Sequence, residues 1–240
     1  MKQDVRPIKN LSEIKRVLKY LKNYNEFGIR NFMMFSIGMN CVLRISDIVN
    51  LKYSDVYTNK GKVKKYLRIR EIKTGKIKEL LLIHAKNDLV EYKRWLDNFI
   101  NSQPDKYMAP LKNNEKMIVG TGKNAKEVNK NDYWLFPSSQ HPTQHVSEKT
   151  FYKAMKQVSK ATGVEHLGTH TPRKTGAYLF YRGGFDDVLR DKDIHPSNDI
   201  ALAMKTLNHS SEGITLNYLG LEQESINQRV AENSAFNINI

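Results

Sequence analysis

The sequence holds one cysteine, Cys41, in 240 residues. A lone thiol excludes an internal disulfide and a multi-cysteine metal centre, and it suits a reducing compartment. Long apolar runs are missing as well. The longest, FMMFSIGMNCVL at 32–43, is too short to cross a bilayer. The N-terminus, MKQDVRPIKN, has no apolar centre of a secretory signal. Acidic charge is in deficit, 25 Asp+Glu against 39 Lys+Arg, for a net charge of +14. These absences exclude a disulfide-stapled secreted domain and a helical membrane protein. They lead to the expectation of a soluble cytoplasmic, nucleoid-associated protein with no membrane partner. Its polyanionic partner would be nucleic acid first of all. With 40% hydrophobic residues the chain can still bury a core.

Hydrophobic spacing organises the chain. Leu11, Ile14, Val17, Leu18 and Leu21 share one stripe of a helix over 10–24, with Asn10 and Glu13 set as a capping box. A second helix is expected over 28–40, and a short one from Ser46 as N-cap. The period then changes. KVKKYLRIREIKTGKIKELLLI, 62–83, alternates Leu67 and Ile69 with Arg68 and Arg70 and turns at Thr74-Gly75, the pattern of a β-hairpin. Residues 60–79 hold nine basic side chains against two acidic ones, more than a solvated edge strand requires, so this hairpin is expected to meet phosphates. Further helices are expected over 85–101, 147–161, from Thr171-Pro172 to Gly183-Gly184, from Pro196-Ser197 to about 207, and over 222–232. Residues 102–132 read as an inserted loop and residues 1–6 as a tail. The fold class is mostly α with a small antiparallel β-sheet, in one domain.

HTPRKTGAY, 170–178, carries the first chemical signal. Pro172 opens a helix, so His170 stands at its entrance and Arg173 in its first turn, both at the positive end of the helix dipole. HxxR alone is a weak signal. Other segments add to it: Arg44 before a helix start with Asp47 in the first turn, Lys73 at the hairpin tip in KTG, and His209 nine residues before Tyr218 in LNHSSEGITLNYLG. His141 and His145 are spaced i, i+4, but Pro142 between them breaks the helix that a metal pair would need, and no metal or cofactor is expected.

In this order the segments resemble the tyrosine recombinases, or phage integrases. That family has a GLRISE-type arginine box, a lysine at a hairpin tip, an HxxR box and a LGHSS…Y box. The resemblance covers about residues 7–225 and implies the recombinase catalytic-core fold. It implies site-specific recombination of double-stranded DNA, as by a mobile element's integrase, with Arg44, Lys73, His170, Arg173, His209 and Tyr218 as catalytic residues and Asp47 in support. Tyr218 would be the nucleophile, Arg44 and Arg173 the phosphate clamp, Lys73 the acid, His170 the base and His209 a phosphate ligand. Lys62, Lys64, Lys65, Arg68, Arg70, Lys76 and Lys174 would bind the DNA backbone. Self-association into a tetramer on DNA would run through the C-terminal helix and tail, 221–240.

Some positions depart from the pattern. Asn208 stands for the usual glycine before the histidine, and Pro172 for a common leucine. The arginine box arrives at residue 44, which leaves no room for the family's N-terminal core-binding domain, so the chain is expected to be either a catalytic-domain-only member or one cut from a longer protein. Two other readings use the same residues: a DNA-binding regulator without turnover, and a DNA-relaxing enzyme of the type IB topoisomerase kind. An intact set of six speaks against the first, since binding alone needs neither Tyr218 nor Lys73.

Overall fold

The computed structural model describes residues 4–103 and 132–221, together with the backbone of two short strands between them. The elements in chain order are α1 (Leu11–Asn23), α2 (Gly28–Asn40), α3 (Ile45–Val49), α4 (Tyr53–Val56), β1 (Tyr66–Arg70), β2 (Ile77–Leu81), a 3₁₀ turn (Ile83–Ala85), α5 (Lys86–Ser102), β3 (Met117–Val119), β4 (Lys126–Val128), α6 (Glu148–Thr162), α7 (Thr171–Arg182), α8 (Asp186–Asp191), α9 (Ile200–Leu207) and α10 (Glu212–Leu219). The mostly helical class with a small antiparallel sheet is the one the pattern predicts.

Helix α2 is the centre of the main core. It is buried from Gly28 and then from Arg30 through Gly38, as its nearly unbroken apolar sequence demands. Met33, Met34, Phe35 and Ile37 are completely enclosed, and each such side chain contributes about 1.5–3 kcal/mol. Against α2 lie α1, through Ile14, Val17 and Leu21, and α5, through Leu89, Tyr92 and Leu96. A smaller second core joins Val42, Ala177, Tyr178, Ala203, Leu207 and Leu219, with Tyr218 packed on its edge. Helix α7 connects the two cores. It crosses α2 closely because two glycines allow it. A Cβ on Gly176 would strike the Met39 carbonyl, and one on Gly38 would lie 2.8 Å from Pro172 Cβ. This crossing fixes the end of α2, and so Arg44 just beyond it, against the start of α7, where Arg173 sits.

The expected hairpin is present, with Leu67 opposite Leu80 and Ile69 opposite Lys78, and Gly75 takes the left-handed backbone at the turn. Several expectations need correction. Asn10 makes no side-chain cap. Helix α3 begins at Ile45 with Arg44, not Ser46, at the cap position. In α7 Thr171 is the first helical residue, and its hydroxyl accepts from the Gly168 N–H in the preceding turn. Helix α9 starts at Ile200, not at 196. Before it, the N–H groups of Ser197 and Asp199 bond the Arg182 and Tyr181 carbonyls at the end of α7, and only then does Asp199 cap the next helix. The 102–132 segment contains the β3–β4 pair, with Met117 opposite Val128. Helices α4, α8 and α10 are too short for a periodic pattern to reveal. The helix expected over 222–232 lies outside the described residues.

Gly176→Ala tests the α2–α7 crossing. The methyl group must displace the Met39 carbonyl, an overpacking cost of about 1–3 kcal/mol or more, so the thermal midpoint should drop by several degrees. An unchanged midpoint would mean that the helices separate freely.

Candidate active site

The site forms where the two cores meet. Arg44 is placed at the N-terminus of α3 by the turn that leaves α2, and Val42 in that turn has φ 51. Its Nη1 donates to Glu71 Oε1 at 3.0 Å. Arg173 is almost wholly buried in the first turn of α7. Its Nη1 donates to the Val42 carbonyl and its Nη2 to the Leu207 carbonyl, the latter at 2.9 Å. The guanidinium is thereby held from both sides, by the turn that precedes Arg44 and by the end of α9. Desolvation, first of all, lowers its pKa, and the positive charge of Arg44 adds to this.

Tyr218 comes from α10, which Ser211 caps by accepting from the Ile214 N–H and Gly220 ends in the left-handed conformation. Its ring packs edge-on against His209, centroids 5.2 Å apart, and Lys174 Nζ lies 4.7 Å from its ring centroid. The hydroxyl is buried against Arg173 without a hydrogen bond of ordinary geometry. Burial raises its pKa, while Arg173 and then Arg44 pull it back. His209 Nδ1 is 3.1 Å from Thr215 Oγ1, which fixes the ring between α9 and α10. His170 stands exposed at the α7 entrance. Desolvation first, then Arg173, Lys174, Arg44 and Lys73, lower its pKa below 6.5. His209 is lowered too, by desolvation and then by Arg173, Arg44 and Lys73. Lys73 is exposed at the hairpin tip.

The structure therefore brings Arg44, His170, Arg173, His209 and Tyr218 together, with the charge of Lys73 acting on both histidines. Asp47 is buried, but it does not bond Arg44 through its side chain. Its Oδ1 accepts from the Ile72 N–H at 2.9 Å and so pins the hairpin beside Lys73. Among the basic residues, Lys62, Lys65, Arg68, Arg70 and Lys76 are exposed. Arg70 folds back onto the Gly75 carbonyl at 2.8 Å, Lys64 donates to the Ser54 carbonyl, and Lys174 is half-buried over Tyr218. Asn208 ends α9 with φ 58, the conformation that glycine and asparagine accept most readily. Two residues of the site were missed in the sequence, Glu71 and Lys78. Glu71 is fully buried, and Lys78 Nζ lies 3.2 Å from its Oε1 and donates to the Thr206 carbonyl at 2.9 Å. The signal was present. Glu71 continues the inward alternation of Leu67 and Ile69, and Lys78 shares the face of Leu80. Among the described residues no cluster of His, Cys, Asp or Glu could hold a metal ion, and no helix is long and apolar enough to cross a membrane.

The fold is that of recombinase catalytic domains. The XerH site-specific recombinase, bound to palindromic difH substrate in a post-cleavage complex, superposes with a TM-score of 0.59 at 18% identity, over 96% of this chain and 54% of that one. XerA recombinase gives 0.54 at 18% identity, over 95% and 63%. The phage integrase family model matches residues 10–191. A probable integrase/recombinase of Bacillus subtilis (strain 168), YoeC, is 30% identical over 222 residues, 92% of each chain. The tyrosine recombinase XerD of Rickettsia prowazekii (strain Madrid E) is 28% identical over 187 residues, 75% of this chain and 51% of its own. The chain belongs to the phage integrase family, the tyrosine recombinases. It spans nearly the whole of YoeC and about half of XerD.

The electrostatics have a consequence for pH. His170 and His209 are depressed in the fold, so the unfolded chain binds more protons below 6.5. Their contribution to stability is present above 6.5 and lost as pH falls through the folded values. Glu71, held at about 2 despite burial by Thr74, Lys78 and Arg44, acts in the same direction between 4.5 and 2. NMR titration of the two imidazoles should give midpoints below 6.5, and denaturant-derived stability should decline with acid in both windows. A midpoint above 6.5 for either histidine would contradict the cationic surroundings described here.

Proposed function

We propose that this chain cleaves and rejoins double-stranded DNA at specific sites through a 3′-phosphotyrosyl link on Tyr218. The observation that carries the reading is Arg173, nearly buried, held by two backbone carbonyls and set against the Tyr218 hydroxyl, with Arg44 and Arg173 both within 4 Å of Glu71 Oε1. An arginine so placed presents a fixed fork to a phosphate rather than a mobile charge. Tyr218 attacks the scissile phosphorus, and its proton passes to His170, whose pKa is lowered by desolvation and by the surrounding cations, which favours the neutral form that can accept it. Arg44 and Arg173 stabilise the charge that builds on the non-bridging oxygens, with His209 as a further donor. The bond to the 5′-oxygen breaks, and Lys73 supplies the proton that makes it a hydroxyl. Attack by the 5′-hydroxyl of a partner strand reverses these steps and releases the tyrosine. The phosphodiester bond is exchanged rather than hydrolysed, so no ATP is consumed, and the charge stabilisation comes from side chains rather than from a metal.

Lambda integrase, whose fold is similar at a TM-score of 0.51, is known as a dimer bound to a core site. Self-association on DNA through residues 221–240, ending in a tetramer, completes this reading, as does action in the cytoplasm on nucleoid DNA. On a nicked suicide duplex in excess EDTA, wild-type protein should form a covalent adduct and Tyr218→Phe none, with noncovalent DNA affinity nearly unchanged. Adducts from the Phe variant, or a strict Mg²⁺ requirement, would refute the mechanism.

Backbone binding is tested separately. Besides Lys73, the hairpin segment exposes Lys62, Lys65 and Lys76. Neutralising all three should flatten the slope of log K against log [salt] by up to about three units, equally on specific and random duplexes. A change confined to one sequence would make them base readers.

A further inference from the structure

One buried carboxylate has no part in the transfer steps above. Glu71 is the first residue after β1, two before Lys73, and its side chain has no exposed surface. Oε1 accepts from Arg44 Nη1 at 3.0 Å and faces Lys78 Nζ at 3.2 Å and Arg173 Nη1 at 3.9 Å. Oε2 accepts from Thr74 Oγ1 at 2.7 Å and from Asn208 Nδ2 at 2.9 Å. One carboxylate thus gathers groups from the start of α3, from the turn and second strand of the hairpin, from α7 and from the α9–α10 link. Those segments carry Arg44, Lys73, Arg173 and His209.

We propose that Glu71 is a positioning residue, the floor of the phosphate seat, which fixes the Arg44 fork and, through Asn208, ties the hairpin bearing Lys73 to the link bearing His209. The proposal deepens the reading of Arg44 and Arg173 as phosphate ligands and rests on it. A floor explains the contacts better than an internal competitor for the phosphate. Glu71 is enclosed while the Arg44 side chain keeps 15% exposure, so the carboxylate lies beneath the guanidinium rather than over it. Its second oxygen is anchored by Thr74 and Asn208, away from the cations. An ionised carboxylate only accepts hydrogen bonds, so it can orient several donors at once without a choice of proton position. Displacing a phosphate ligand by even about 1 Å is enough to slow a transfer step on the order of 10²-fold.

The test is single-turnover adduct formation on a suicide duplex with Glu71→Gln, Glu71→Asp and Asn208→Gly. Glu71→Gln should reduce the rate at saturating DNA on the order of 10²-fold, with the half-saturating DNA concentration within about threefold of wild type. Glu71→Asp, which restores the charge on a shorter stem, should recover part of the rate. Asn208→Gly keeps a backbone that glycine accepts at φ 58 and removes only the amide. It should slow the rate by roughly threefold to tenfold with unchanged half-saturation. If Glu71→Gln does not fold, the Asn208→Gly result decides, and a wild-type rate there overturns the proposal. A faster rate in Glu71→Gln would make Glu71 a competitor for the phosphate and also overturn it. So would a loss of thermal stability with the saturated rate intact, which marks a purely structural role. These outcomes are separate from failure of the functional reading, in which the wild-type protein itself forms no adduct.

Discussion

Arg44, Arg173 and Lys78 all lie within 4 Å of one carboxylate oxygen, Glu71 Oε1. Charges this close repel strongly where water is scarce, and a lone buried guanidinium would be costly without partners. The structure resolves the conflict with acceptors rather than with distance. Arg173 has the Val42 and Leu207 carbonyls, Lys78 has the Thr206 carbonyl, and Glu71 serves all three cations. Buried ion networks are a poor route to stability, because apolar residues of similar volume do as well or better. Their value here is geometric. Each arginine is held in one orientation, and under the proposed function that preorganisation is where electrostatic catalysis gains most.

The rest of the architecture serves the same geometry. Helix α2 ends at a left-handed Val42 whose carbonyl holds Arg173, and two residues later the chain presents Arg44. Gly38 and Gly176 let α7 come close enough for both arginines to share Glu71. The small core of Val42, Ala177, Leu207 and Leu219 sets α10 against α7, and so sets Tyr218 beside Arg173. Its few side chains place Tyr218 in a less extensively packed part of the molecule than the arginines. Such regions open more readily than a central core.

Much of this was legible in the sequence. Leu11 through Leu21 drew α1 correctly, the alternation of Leu67 and Ile69 drew the hairpin, and Pro172 and Gly183 bracketed α7, because each rests on local periodicity or on a backbone preference. Arg44, His170, Arg173, His209 and Tyr218 were marked by motif order, and folding brings them to one place. What stayed hidden depends on contacts between distant residues. Asp47 was marked only as a supporting residue, and the group it holds, the Ile72 N–H, lies 25 positions away. Asn208 looked like a mild departure beside a histidine, yet its amide reaches Glu71 across 137 positions. Helix α9 starts four residues later than its Pro-Ser signal because those residues bond the end of α7. No local pattern reports such pairings.

The central claim is that the α10 tyrosine becomes covalently joined to DNA beside the buried arginine. Its most direct test is to trap the wild-type adduct on a suicide duplex, digest both components, and locate the nucleotide-bearing peptide by mass spectrometry. The account predicts a single modified residue, Tyr218, carrying a 3′-phosphate-linked nucleotide with the 5′-hydroxyl end free. A nucleotide on any other residue, or a link through a 5′-phosphate, would contradict it.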